Sequence, residues 1–105
     1  MNLTRIEQLL KFLEEDPNDA FSLYALALEY KKSNPAEAVK LFRQLLTNHP
    51  DYLPTYYQAG LMKEESGKTE EALELYQKGI ALAKKLNDSA TLKELQAAHN
   101  LLSEE

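Results

Sequence analysis

Two histidines, no cysteine and 17 acidic side chains are the raw material for metal binding or acid–base chemistry in this chain of 105 residues. Without Cys there is no thiolate nucleophile, no thiolate metal site and no disulfide. A histidine metal site on a helix needs a second ligand one turn away. Neither His49, before Pro50, nor His99 has a ligand-type residue three or four positions away, so His49 reads as a turn residue and His99 as part of a helix face. Asp16-Pro17-Asn18 opens like a calcium loop, but Phe21 stands where that loop needs Gly and Ala27 where it needs Glu. The doublets Glu14-Glu15, Glu64-Glu65 and Glu70-Glu71 are adjacent in sequence and so point to different sides of a helix. They read as solvated faces rather than paired catalytic carboxylates. GxSxG, GxxxxGK[ST] and GxGxxG motifs are absent. The expectation is therefore no enzyme, no catalytic residue, no cofactor and no specific Zn²⁺ or Ca²⁺ site.

Composition narrows the partners. The net charge is −5, spread evenly: residues 1–52 carry 6 basic and 8 acidic residues, and residues 53–105 carry 6 and 9. No basic patch exists to neutralise phosphates, so nucleic acid is not an expected partner. No apolar run approaches the ~18 residues of a membrane span, and Glu7, Gln8 and Lys11 interrupt the apolar N-terminal stretch. No membrane association is expected, and a cytoplasmic location is the default expectation.

With three Gly and four Pro as breakers, and Ala, Leu, Glu and Lys abundant, helices are expected throughout. Apolar residues recur at helical spacing in Ile6, Leu9, Leu10 and Leu13, then Leu23, Leu26, Ala27 and Tyr30, then Val39, Phe42, Leu45 and Leu46. Breaks at Asp16–Asp19, Ser33–Pro35, His49–Asp51, Ser66–Thr69 and Asn87–Ser89 divide the chain into six helices near 3–15, 19–33, 35–48, 52–66, 69–86 and 89–103. Asn18 or Asp19, Asn34 before Pro35, and Thr69 are the expected caps. The fold class is all-α, with short connections between antiparallel neighbours.

The chain also repeats itself. A shift of 33 lays Pro17 on Pro50, Leu23 on Tyr56, Tyr24 on Tyr57 and Ala27 on Gly60. Beyond Asn34 the shift becomes 34, laying Glu37-Ala38 on Glu71-Ala72, Phe42 on Tyr76 and Leu45 on Gly79. This pattern resembles the tetratricopeptide (TPR) repeat. Leu23, Leu26, Ala27, Tyr30, Ala38, Phe42, Leu45 and Pro50 match it in the first unit, and Tyr56, Ala59, Gly60, Ala72, Tyr76 and Gly79 in the second. Lys63 departs where the family has Tyr, and Lys84 where it has Pro. The resemblance implies an α-α superhelix, a TPR-like solenoid, as a single domain over 1–105. Within it, 3–15 is a degenerate half-repeat, 17–50 and 51–86 are repeats, and 89–103 is a capping helix. In the half-repeat, Leu9 and Phe12 fall at packing positions and Arg5 where Ala belongs; Leu92, Leu95, Ala98 and Leu102 form the inner side of the last helix.

Each repeat's first helix carries a second apolar stripe, Phe21, Tyr24 and Leu28 in one and Pro54, Tyr57 and Leu61 in the other, about 140° from the core side. The resemblance implies that this side lines a concave groove for extended peptides or partner helices. Ala90, Lys93 and Ala97 continue it, with Lys93 available to an acidic group. Packing between stacked helices is the competing use of the same stripe. The carboxylate-clamp subtype of the family is not matched, because Tyr24, Leu28 and Gln58 stand at the clamp positions. The expected function is a non-catalytic protein–protein interaction module, a scaffold, with an apolar or amphipathic protein or peptide partner. Alternatives are a homodimer or larger homo-oligomer burying the same face, and an accessory subunit of a larger complex. Lys31 and Lys32, level with Glu64 and Glu65, are expected to form a rim pair.

Overall fold

Three of the six helices open on a side chain that accepts from the orphan N–H groups of the first turn, and three do not. In the computed structural model, which describes residues 4–104, Thr4 opens α1 (Arg5–Glu15) with a capping box: Glu7 N–H donates to Thr4 Oγ1 at 3.2 Å, and Thr4 N–H donates back to Glu7 Oε1 at 3.3 Å. Asp19, rather than Asn18, caps α2 (Ala20–Ser33), accepting from Ser22 N–H at 3.0 Å. Asn34 precedes α3 (Pro35–Asn48), but its side chain makes no cap bond; Pro35 at the first helical position has no N–H to satisfy. α4 (Pro54–Glu65) starts two residues later than the spacing predicts, again on a proline, with Tyr52 left in the preceding turn. Thr69 is not a cap but the first residue of α5 (Thr69–Lys85), preceded by Lys68. α6 (Ser89–Ser103) is capped by Asp88, which accepts from Thr91 N–H at 3.1 Å. The first helix was expected from residue 3, which lies outside the described residues. No strand occurs among the described residues.

The two intra-repeat turns explain the change of shift. Asn34 alone joins α2 to α3, its N–H closing onto Tyr30 O at 2.6 Å. Three residues join α4 to α5: Gly67 N–H bonds Glu64 O at 3.0 Å and Lys68 N–H bonds Lys63 O at 2.8 Å, the paired bonds of a Schellman end. Gly67 sits at φ +75°, which a glycine adopts freely.

The chain forms two compact units, one running through Tyr52 and the other from Leu53 onward. In the first, α2 packs on both α1 and α3. Its buried apolar residues are Leu9, Leu23, Leu26, Ala27, Ala38, Phe42 and Leu45. In the second, α5 packs on both α4 and α6. Tyr76 and Leu95 are fully buried at its centre, with Tyr56, Ala59, Ala72, Ala83 and Leu102 around them. Small residues allow the close approach: a Cβ at Gly60 would enter the Tyr76 ring, 2.8 Å from Cδ1, and one at Gly79 would lie 2.8 Å from Tyr56 Cβ and 2.9 Å from Leu95 Cδ1.

One packing expectation fails. Leu9 is buried, but Phe12 is 57% exposed. Repeat spacing places Phe12 level with Leu45 of α3 and Gly79 of α5, both buried. Gly79 has Tyr56 of α4 against it, whereas among the described residues α1 has no helix before it in its unit to cover that side.

Candidate partner-binding surface

α2 is apolar around most of its circumference until Glu29, because Leu23, Leu26 and Ala27 face the core while Phe21, Tyr24 and Leu28 point elsewhere. Phe21 is 62% exposed, and Tyr24 and Leu28 are half-buried. Tyr24 is not simply a surface residue: its ring centroid lies 6.4 Å from that of Phe42, edge on, and 5.7 Å from that of Tyr52. Both separations suit favourable aromatic pairs. Tyr52, in the turn before α4, was not singled out from the sequence; an aromatic one residue past a Pro-Asp turn is the signal that marks it. Burial pushes its phenol pKa up, and the Asp19 carboxylate adds to the shift.

The second unit presents the same register. On α4, Pro54 is exposed, and Tyr57 and Leu61 are half-buried. The Tyr57 ring lies 6.3 Å from the buried Tyr76. Lys93 on α6 is exposed, as are Ala90 and Ala97 beside it. The structure therefore keeps Phe21, Tyr24 and Leu28 on one side of α2, and Pro54, Tyr57 and Leu61 on one side of α4. The two tyrosines also serve the packing of their own units.

Charged residues on these helices find local partners. Lys32 lies 3.7 Å from Glu29 on its own helix. Lys63, the departure from the repeat pattern, reaches Glu71 at 3.3 Å and ties α4 to α5; an exposed pair of this kind contributes ~0–1 kcal/mol. Glu64 accepts from the Tyr76 hydroxyl at 3.5 Å. Burial first, and then the Glu64 charge, raise the Tyr76 phenol pKa strongly. His49 ends α3, and His99 Nε2 lies 3.2 Å from Gln77 Nε2 of α5. No group of three or more metal-ligating side chains converges among the described residues, and no helix there is long and apolar enough to cross a membrane.

Profiles of the tetratricopeptide repeat match residues 19–52 and 36–85. A tetratricopeptide repeat domain protein from Salinibacter ruber, solved in solution, is 39% identical; the match covers 83% of this chain and 89% of that one, with a TM-score of 0.78. The chain belongs to the tetratricopeptide repeat family. The crystal structure of the Salinibacter domain gives 37% identity over 81% of this chain and 97% of that one, at a TM-score of 0.77. A Bordetella parapertussis protein shares the fold at 21% identity, covering 98% and 90% of the two chains with a TM-score of 0.82. Comparison with curated proteins gives no match. TPR domains as a class mediate protein–protein interaction, and this all-α chain is a TPR-like helical solenoid by its family and fold.

Proposed function

We propose that this TPR protein is a non-catalytic interaction module. The outward sides of α2 (Phe21, Tyr24, Leu28) and α4 (Pro54, Tyr57, Leu61) would hold an apolar or amphipathic peptide or partner helix, with Lys93 on α6 available to an acidic group. One observation carries the reading: both repeats present a tyrosine at the same register, half-buried on a residual apolar side, beside an exposed Phe21 or Pro54. Tyrosine in that setting offers contact area with a polar tip, as interface residues do.

Because Tyr24 and Tyr57 also pack on core rings, their truncation to Ala mixes binding with stability, the aromatic pairs alone contributing ~0.5–1.5 kcal/mol each. Phe21→Ser avoids this, since most of the ring is already in solvent. The test is to select peptides against the intact chain from a displayed library of amphipathic sequences, then measure their affinity for Phe21→Ser and for Tyr24→Ala/Tyr57→Ala, each with a melting curve. Hot-spot aromatics lose ~2 kcal/mol on truncation, about 30-fold in affinity. Undiminished affinity in folded variants would place the binding surface elsewhere.

A further inference from the structure

Phe12 marks a vacancy in the repeat pattern of the first unit. Its counterparts Leu45 and Gly79 are buried, yet Phe12 is 57% exposed. Residues at i, i+3, i+7 and i+10 share a helix face, so Phe12 lies in a row with Arg5, Gln8 and Glu15, all exposed. This row has a basic end and an acidic end around one large apolar side chain. Neither Arg5 nor Glu15 has an ion-pair partner among the described residues.

We propose that this face of α1 binds the same face of a second copy, antiparallel, about a two-fold axis level with Leu10. Charge selects that occupant and that direction. An antiparallel pair sets Arg5 of each copy level with Glu15 of the other, whereas a parallel pair sets Arg5 beside Arg5 and Glu15 beside Glu15. Phe12 is two residues from the axis, so the two phenylalanines lie about 6 Å apart along the helices at ~1.5 Å per residue, within the range of a stacked or edge-to-face pair. Gln8 of each copy lies level with Phe12 of the other. A two-fold contact of this kind closes on itself and stops at a dimer. One helix face from each copy is a small interface, so the dimer is weak and reversible. None of these residues is among those of α2 and α4 proposed to take a partner, so this contact does not rest on that reading.

Sedimentation equilibrium of the 105-residue chain, from micromolar to about 1 mM in ~0.15 M salt, tests it. Arg5→Glu replaces two attractive pairs per dimer with two repulsive ones, and Glu15→Arg does the same with opposite sign. Each variant alone is expected to weaken association about tenfold, and an equimolar mixture of the two to recover it, because every cross-pair is then attractive. The double variant recovers it as well. Both changes put charge where the helix dipole favours it, acidic at the N-terminus and basic at the C-terminus, so a lost dimer does not reflect a lost helix. Phe12→Ser should also dissociate the dimer with an unchanged melting temperature, and Phe21→Ser should not. A chain that stays monomeric to about 1 mM overturns the proposal. So does a dimer indifferent to the charge reversals, or one that neither the mixture nor the double variant restores.

Discussion

The Tyr76 ring lies so close to the Gly60 backbone that any Cβ at Gly60 must displace it. Overpacking of this kind costs ~1–3 kcal/mol, against ~1 kcal/mol gained by replacing glycine in a helix. Gly60→Leu is expected to lower the melting temperature, by about 4–8 °C per kcal/mol of net cost in a domain of this size. Placing Gly60→Ala in a Tyr76→Leu background should recover most of the Gly60→Ala loss, and additive losses would show that the ring is not the obstacle. The same tyrosine gives a pH dependence. Its folded-state pKa lies above the unfolded value of 10.0, so the stability linked to its neutral form is complete below pH 10 and is lost as pH rises further. Urea unfolding across the alkaline limb should show stability falling above pH 10, with a shallower fall in Tyr76→Phe. That Gly60 and Tyr76 occupy repeat positions was legible in the sequence, though not that the ring of one lies against the backbone of the other. The Tyr24–Phe42–Tyr52 cluster was not, because Tyr52 lies in a turn, where no periodicity says which way a side chain goes. Phe12 misled because spacing gives an azimuth but not whether anything covers it.

Helix starts at Asp19 and Asp88 rest on a carboxylate that accepts from the N–H three residues on, a pattern visible in sequence as Asp-x-x-Ser and Asp-x-x-Thr. Helix ends are written less plainly. α5 closes as α4 does, with Asn87 N–H on Lys84 O at 3.2 Å and Asp88 N–H on Ala83 O at 2.9 Å, but it puts Asn87 rather than glycine at φ +58°. Asparagine tolerates that left-handed conformation better than most residues and less well than glycine. Asn87→Gly is therefore expected to stabilise by up to ~1 kcal/mol, and Gly67→Ala to destabilise by about the same amount. Chemical denaturation of both variants checks the pair, and matching signs would contradict the shared geometry. The single-residue turn at Asn34 was readable as a change of shift from 33 to 34, though not as one residue ending one helix and preceding the next.

At the scale of the whole chain, each unit is built around a helix packed on both of its chain neighbours, α2 in one and α5 in the other. The repeat pattern carried this architecture into the sequence because small and aromatic residues must alternate wherever two helices cross closely. It could not carry the partner, since apolar residues on α2 and α4 look alike whether they meet a neighbouring helix or a ligand. The locality of the packing has a kinetic consequence. When helices dock chiefly on the next helix along, the loops to be closed are short and their entropic cost is small. Such chains have low contact order and fold in microseconds to milliseconds. Temperature-jump or rapid-mixing experiments on dilute protein should find refolding complete on that scale. A phase lasting seconds that quickens with protein concentration would instead identify association between chains as the slow step.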